Sequence, residues 1–596
     1  MLPRFPRKWQ LSPPQPAAAR ALCDALGIHP ITASILVSRG ITDPDEAELF
    51  LYPDFDLMPN PMRMAGMQQA VHRTLLALRD ADPIRIFGDY DVDGVTSAAC
   101  VYQFLSRLGV KVDYSIPLRD AEGYGLTVRT VELAASEGVK LLITTDCGIS
   151  AHEEIARAQD LGVDVIVIDH HTPPDLLPPA RAILNPLQPG CEYPFKKYAA
   201  VGLAFTFIHA LSTALERYGA LPEGQPDLRE YLDIVALGTI ADVVPLVGEN
   251  RILVRKGLEV LRRRRRPGLS ALLDRAQVDG QPITARTVGY RLAPLINAAG
   301  RMGDASRCVK LLTTNSFREA EALSRELEQD NIQRQAQERA VLEEATAMAE
   351  LEFAAGRRVI FLSNPDWHQG VLGIVASRIK ERFYRPSAMV AVNDRTGLAR
   401  VSMRSIDGID LIAALRRVEP LLISHGGHTA AAGMTFDVQN LARVQELFEQ
   451  AIAEQVPEMP TPVMRIDADC HLDDLDMNLG REMLKLAPFG AGNPEPILRA
   501  SDVRAHRSRV VHNRHLRTRL RDQEIVHEAI GFTLGHLLPH LNGPIDVAIT
   551  PRYTSYRGKP KMELLLRDIQ PYGEAQIDLA PFDADFHGHI DEEDDY

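Results

Sequence analysis

Three short apolar runs, each ending in carboxylates, constrain this chain more than any other feature. Ile84-Arg-Ile-Phe87 leads through Gly88 into Asp89, Asp91 and Asp93. Lys140-Leu-Leu-Ile-Thr-Thr145 stops at Asp146, and Val163-Asp-Val-Ile-Val-Ile168 stops at Asp169-His170-His171. Runs of this length and composition read as strands, while 95–108, 127–137 and 151–161 carry helical spacing of apolar residues. Strands apolar on both faces and alternating with helices imply a parallel sheet covered on both sides. Ligands of such sheets bind at the carboxyl ends of the strands. Acids gathered at that edge repel one another and need a cation to be stable there.

Asp89-Tyr-Asp-Val-Asp-Gly94 also matches the opening of an EF-hand loop. Counting Asp89 as the first position, the twelfth is Cys100, where a bidentate Glu is required, and a strand rather than a helix precedes the acids. A plain polar turn is the other bland explanation. Asp242, in Gly238-Thr-Ile-Ala-Asp-Val-Val-Pro245, follows a helical stretch and is a fourth candidate ligand. Singly, Asp146 is explained as a helix N-cap and His170 as a core histidine. Jointly these explanations weaken, because three strands of one sheet end in ligands at one edge. Carboxylates with a single imidazole suit Mn²⁺ or Mg²⁺, whereas no cysteine cluster or multi-His set favours zinc. There are enough acids for two ions about 3.5–4 Å apart, which serve in-line displacement at phosphorus by activating water and steadying the leaving oxygen. No GxxxxGK[ST] loop is present.

A chain of 596 residues exceeds one hydrophobic core, and three or four domains are expected. No run of eighteen apolar residues occurs and the N-terminus lacks a signal-peptide core, so neither a membrane span nor secretion is expected. Six scattered cysteines fit a reducing compartment, with cytoplasm as the default. The net charge of −14 argues against nucleic acid, yet residues 573–596 alone carry nine acids and no Lys or Arg, leaving −5 for the rest. Arg262 to Arg266 is a five-arginine run, for which a solvated face is the default. Arg517, Arg519 and Arg521 alternate and would share one face of a strand.

Along the chain, 1–80 reads as an N-terminal helical cap and 81–315 as the α/β unit with the acids. Residues 316–355 form a mostly polar helical stretch without Gly or Pro, of the kind that bridges domains in solvent. A second α/β unit, 356–460, follows with strands 358–362 and 387–392, helix 370–382 and a Gly-rich turn. Short alternating strands over 461–572 suggest a small β-barrel. The acidic tail 573–596 reads as disordered.

Asp91-Val-Asp93-Gly94, Asp146, Asp169-His170-His171 and Asp242 resemble the successive motifs of the DHH phosphoesterase superfamily, and Ser424-His-Gly-Gly-His-Thr-Ala-Ala-Ala-Gly433 is similar to the signature of its companion DHHA1 domain. Gly123-Tyr-Gly125, Asn297-Ala-Ala-Gly-Arg301 and Ser402-Met-Arg404-Ser405 resemble more narrowly its RecJ exonuclease family, over about residues 60–570. An additional C-terminal domain of some relatives has no counterpart in the resemblance. The likeness implies an α/β architecture: a parallel-sheet DHH domain and a DHHA1 domain joined by a long helix, then an OB-fold barrel. It implies a 5′→3′ exonuclease that hydrolyses single-stranded DNA to mononucleotides, in recombination and repair, with two Mn²⁺ or Mg²⁺ ions. Asp91 and Asp146 would hold one ion and Asp93, Asp146, His170 and Asp242 the other, with Asp146 bridging and His171 beside the scissile phosphate. Asp89 stays open as ligand or supporting group.

By the same likeness Arg119, Arg301, Ser402 and Arg404 would bind a 5′-terminal phosphate, as guanidinium forks do. Gly426, Gly427 and His428 would bind phosphate across a cleft too narrow for a duplex; a buried packing turn is the alternative. Arg507, Arg509, Arg517, Arg519 and Arg521, with Tyr553 or Tyr556, would hold the strand on the barrel. A single-stranded DNA-binding protein and a helicase are the implied protein partners of a monomer without membrane contact. Rival readings are a phosphodiesterase for short oligonucleotides or cyclic dinucleotides, a non-catalytic replication-fork scaffold, and an editing module, the last disfavoured because no synthetase portion is present.

Overall fold

The computed structural model describes residues 7–118, 125–222, 227–278, 280, 282–393, 395–556 and 559–573. They divide into two compact units. One comprises Asp43–Asn331 together with Lys485–Glu495. The other comprises the residues through Thr42, Ile332–Leu484 and those described from Pro496 onward.

The first unit is built on five parallel strands: β1 (Ile84–Gly88), β2 (Val112–Ser115), β3 (Leu141–Thr145), β4 (Asp164–Ile168) and β5 (Ala182–Leu184), ordered β2-β1-β3-β4-β5. Register is set by the hydrophobic runs: Gly88 pairs with Thr145, Thr145 with Ile168, and Ile168 with Leu184. The last residues of β1, β3 and β4 are therefore level, and the acids that follow them emerge at one edge. Helices α1 (Val92–Arg107), α2 (Ala200–Arg217), α3 (Leu232–Ala241) and α4 (Gly248–Leu261) supply most of the core on one face, with α5 (Ala293–Met302) after them. A smaller apolar cluster, including Phe87, Val131, Leu142, Val165 and Val167, covers the other face. The α1 start at Val92, three residues earlier than the apolar spacing predicts, follows from Asp91, whose carboxylate accepts from Gly94 N at 3.0 Å and caps the helix.

Residues 316–355 are indeed one helix, α6 (Phe317–Ala354). The second unit holds β6 (Ile360–Asn364), α7 (Leu372–Phe383), β7 (Ser387–Asn393), β8 (Leu398–Arg404), β9 (Leu422–Gly427) and β10 (Ala431–Asp437), the strands ordered β9-β10-β8-β7-β6 with only β6 and β7 parallel. The same unit contains a closed five-stranded barrel: β11 (Leu498–Val511), β12 (His515–Asp522), β13 (Ile525–Gly531), β14 (Pro544–Tyr556) and β15 (Lys559–Pro571), closed by pairing of β11 with β14.

Two features differ from the expected domain plan. The first 80 residues are not one helical cap. Lys8–Leu11 is a strand paired in parallel with Val463–Ile466, and it belongs with the barrel-containing unit through Trp9, which is fully buried and donates its indole N–H to Asp568 at 2.9 Å. Residues from Asp43 belong with the parallel sheet. Lys485–Glu495, expected within the barrel domain, is likewise part of the parallel-sheet unit. Arg251, fully buried, donates to the carbonyls of Phe50, Lys485 and Leu486 at 2.8–2.9 Å and lies 3.8 Å over the Phe50 ring. Both features join residues hundreds of positions apart, which periodicity does not report.

Candidate metal centre and phosphate-binding strands

Side chains from four loops converge above the level strand ends. The atoms of Asp89, Asp91 and Asp146 lie within 4.8 Å of one another, as do those of Asp93, His170 and Asp242, and those of Asp146, His170 and His171. His170 Nε2 is 3.3 Å from Asp146 Oδ1, 3.6 Å from Asp242 Oδ2 and 4.0 Å from Asp93 Oδ2. The grouping places Asp89, undecided from sequence, with Asp91 and Asp146.

The backbone prepares these positions. Asp146 has φ = +62°, a left-handed conformation that Asp and Asn tolerate better than other side chains; it is not the N-cap of the following helix, whose cap is Ala151. Asp242 is the C-cap of α3. The carboxylate of Asp93 receives the N–H groups of Ala200 at 2.6 Å and Val201 at 2.9 Å, the first donors of α2. Gly300 in α5 is required by close approach: a Cβ there would lie 2.5 Å from Tyr90 O. That contact brings α5, and with it Arg301 in its last turn, against the acid loop.

The electrostatics are those of a cation site. Burial, and then the charge of Asp91, push the Asp93 carboxyl up to about 7. Burial and neighbouring acids likewise hold Asp146 and Asp242 well above the usual carboxylate range. Burial pushes His170 down to about 4, leaving a neutral imidazole able to donate a lone pair. Asp242 Oδ2 is buried without a hydrogen bond. An oxygen-rich donor set with one neutral imidazole fits Mn²⁺ or Mg²⁺.

His171 is held differently. Asp169 Oδ1 accepts from its backbone N–H at 3.1 Å and engages its Nδ1 at 2.7 Å, while Asp169 Oδ2 accepts from Ile149 N at 3.0 Å. Burial opposes charge on both groups. Their mutual hydrogen bond and charge attraction, added to the backbone N–H groups on Asp169 and the nearby acids Asp93 and Asp91 around His171, together outweigh it, lowering Asp169 below the usual carboxylate range and raising His171 above the usual imidazole value. Asn185 Nδ2 fixes the same residue through the His171 carbonyl at 2.8 Å. The orienting role of Asp169 was not read from the sequence, where it stands only as the acid that opens Asp-His-His.

In the second unit, strand register assembles the other expected residues. Gly426 pairs with Gly433, which pairs with Ser402, and Ala431 pairs with Arg404. Gly426, Gly427 and His428 are exposed, so the Gly-rich turn is not a packing turn. Burial lowers the pKa of the Arg404 guanidinium, whose Nη1 donates to Met403 O at 2.8 Å. Gly373, in the first turn of α7, was not singled out from sequence; a Cβ there would meet Arg404 Nη2 at 3.0 Å and Ser402 Oγ at 3.1 Å. A guanidinium, a hydroxyl and a helix N-terminus thus lie together, each suited to an anion. Arg119 lies outside the described residues.

The barrel arginines alternate outward as expected, but part of their charge is engaged. Arg517 and Arg519 lie 3.5 and 3.3 Å from Glu528, and Lys561 lies 2.7 Å from it. With Glu563 also 3.8 Å from Lys561, three cations face two carboxylates and leave one excess positive charge. In the five-arginine run, Arg266 binds Asp233, Gln103 and the Leu312 carbonyl, Arg265 binds Glu230, and Arg264 binds Asp274. Arg266, whose side chain is 10% exposed, is structural, whereas Arg265 remains on a solvated face. Tyr553 lies in β14 opposite Met562, whereas the Tyr556 side chain is not described.

A parallel sheet whose strand ends carry Asp-x-Asp, Asp and Asp-His-His defines a DHH phosphoesterase. Residues 83–239 match the DHH family, N-terminal domain, residues 356–454 the DHHA1 domain, and residues 466–568 the RecJ OB domain. The single-stranded-DNA-specific exonuclease RecJ of Bacillus subtilis is 37% identical over 569 residues, covering 94% of this chain and 70% of its own length. Thermus thermophilus RecJ in complex with Mn²⁺ superposes with a TM-score of 0.80 at 33% identity, over 94% of this chain and 79% of that one. Its complex with Mg²⁺ gives 0.75 at 31%, over 94% and 78%. The chain belongs to the RecJ family.

Proposed function

We propose that this protein is a metal-dependent exonuclease that degrades single-stranded DNA from the 5′ end to mononucleotides, in DNA recombination and repair. The observation that carries the reading is the pair of ligand groups, Asp89/Asp91/Asp146 and Asp93/His170/Asp242, which meet where Asp146 lies 3.3 Å from His170. In this reading Asp91 and Asp146, with Asp89, hold one Mn²⁺ or Mg²⁺ ion. Asp93, Asp146, His170 and Asp242 hold the other. When bound, such a pair supplies an activated water and charge neutralisation of the leaving oxygen.

The chain's own residues do the rest. The α2 donors at Ala200 and Val201 fix the rotation of the Asp93 carboxylate. Asp169 accepts from Nδ1–H of His171 and favours the protonated ring, in which Nε2–H is a donor suited to a phosphate oxygen. Arg404 and Ser402, beside the α7 N-terminus, bind the terminal phosphate; in the parallel-sheet unit, Arg301 stands in the last turn of α5, against the acid loop. In the exposed Gly426–His428 turn the His428 N–H is taken by Ala431 O at 2.8 Å, so what the turn offers the next phosphates is close backbone approach at its glycines and the His428 imidazole. Excess positive charge around Glu528 attracts the strand to the barrel. A single-stranded DNA-binding protein and a helicase as partners, a monomeric state and a cytoplasmic site go with this reading.

The test supplies purified protein and Mn²⁺ with one oligonucleotide labelled at either end, single-stranded or as a blunt duplex. Early release of labelled mononucleotide from the 5′ end, with the duplex and the Asp146→Asn variant inert, is expected. Release first from the 3′ label would overturn the polarity, and cleavage by Asp146→Asn would overturn the metal centre. Loss of binding should be steep with salt.

A further inference from the structure

We propose that Asn250, seconded by Glu249, is the positioning group that fixes the span between the two loops flanking the His170 side of the metal centre, and so sets the affinity of that centre for a divalent cation. The inference rests on the reading of Asp93, His170 and Asp242 as cation ligands. Both residues lie in the first turn of α4, are buried, and touch no candidate ligand.

Asn250 Nδ2 carries two hydrogens, and both are used. One goes to Lys197 O at 2.5 Å and the other to Pro245 O at 3.0 Å. Lys197 stands three residues before Ala200, whose N–H with that of Val201 cradles Asp93. Pro245 stands three residues after Asp242. One planar amide therefore ties the loop that leads into the Asp93 cradle to the loop that delivers Asp242.

Glu249 secures the first loop from the side. Its Oε2 accepts from Tyr193 Oη at 2.9 Å and from Tyr198 Oη. The second loop is held again from Lys485–Glu495, where Ala491 O accepts from Leu246 N at 2.7 Å. Solvent does not compete at these bonds, since Asn250 and Tyr198 are fully or almost fully buried. A carboxylate in place of the Asn250 amide keeps the shape, removes both donors and turns oxygens toward two carbonyls. Outer groups of this kind tune metal affinity by about 10–100-fold.

The experiment titrates Mn²⁺ into the EDTA-stripped full chain by calorimetry, for wild type, Asn250→Asp, Glu249→Gln and Tyr198→Phe, with melting temperatures in EDTA alongside. Asn250→Asp is expected to weaken Mn²⁺ binding about 10–100-fold, with nuclease activity recovered by raising Mn²⁺. Tyr198→Phe and Glu249→Gln, which keep the loops but loosen one anchor, are expected to weaken it by smaller factors. A folded Asn250→Asp with wild-type Mn²⁺ affinity overturns the proposal, even if its melting temperature in EDTA falls, because a purely structural role moves only the latter. Should Asn250→Asp not fold, unchanged affinity in both milder variants overturns it. A wild type that binds no Mn²⁺ refutes the metal reading itself and is distinguishable from either result.

Discussion

Asp146→Asn tests the metal centre through stability as well as activity. In the metal-free protein the Asp146 carboxylate is buried and faces Asp93, Asp91, Asp242 and Asp89. Two ionised carboxylates 4.8 Å apart repel by about 3 kcal/mol at an effective dielectric of 20. Because burial and mutual repulsion raise these pKa values, Asp93 to about 7, the acids are neutral in the folded state at low pH. They cost stability as pH rises above the unfolded carboxylate range, Asp93 through about 7. The substitution removes one charge without losing shape, and Asn tolerates the φ of +62° as Asp does. Stripped of metal at pH 8, Asp146→Asn is therefore expected to be more stable than wild type by about 1–3 kcal/mol, several degrees in melting temperature. At pH 4 the difference should vanish. Mn²⁺ at a hundred times its Kd should restore about 3 kcal/mol to wild type and much less to the variant, whose nuclease activity falls by at least about a hundredfold. Differential scanning fluorimetry in EDTA and in Mn²⁺ at both pH values reads all of this. A variant less stable than wild type in EDTA at pH 8 would refute the account, since repulsion among the acids would then not dominate at Asp146.

Four further outcomes follow from the structure. Asp169→Asn leaves the ligand groups intact but removes the partner that holds His171 Nδ1, so kcat should fall about 10–100-fold with Mn²⁺ affinity little changed by calorimetry. Arg251→Ala should cost about 3–5 kcal/mol, read by chemical denaturation, because three buried carbonyls lose their donor along with the Phe50 stacking. Gly300→Ala places a Cβ 2.5 Å from Tyr90 O, and overpacking of about 1–3 kcal/mol should displace the acid loop and depress turnover more than DNA binding. Glu528, lowered to about 2 first by its hydrogen bond from Lys561, stabilises the barrel above the unfolded carboxylate pKa, and that contribution is lost as pH falls through about 2; Glu528→Gln should flatten the acid limb of a pH-dependent melt.

The sequence by itself determined the three strands that end in acids, their limits to within one or two residues, and the edge at which those acids gather; the edge strand Ala182–Leu184 was not read from it. Those features are local: an apolar run of a given length becomes a strand, and the residue after its end must lie at the edge. Asp91, Asp93, Asp146 and His170 were placed at that edge for that reason, whereas Asp242 follows a helix; α6 was legible separately, because its polar composition without Gly or Pro permits one long helix. Tertiary structure alone decided how each acid is used. That Asp93 caps a helix begun at Ala200, that Asp169 orients His171, and that Asn250 spans Lys197 and Pro245 depend on hydrogen bonds between segments remote in sequence. The same holds for Trp9, which reads as part of an N-terminal helical cap until Asp568 receives its indole N–H. It holds equally for Arg266, which reads as one of five solvated charges until Asp233 and Gln103 enclose it. Local sequence fixes what a segment can become, whereas the partner that satisfies a buried polar group is chosen only when the chain closes on itself.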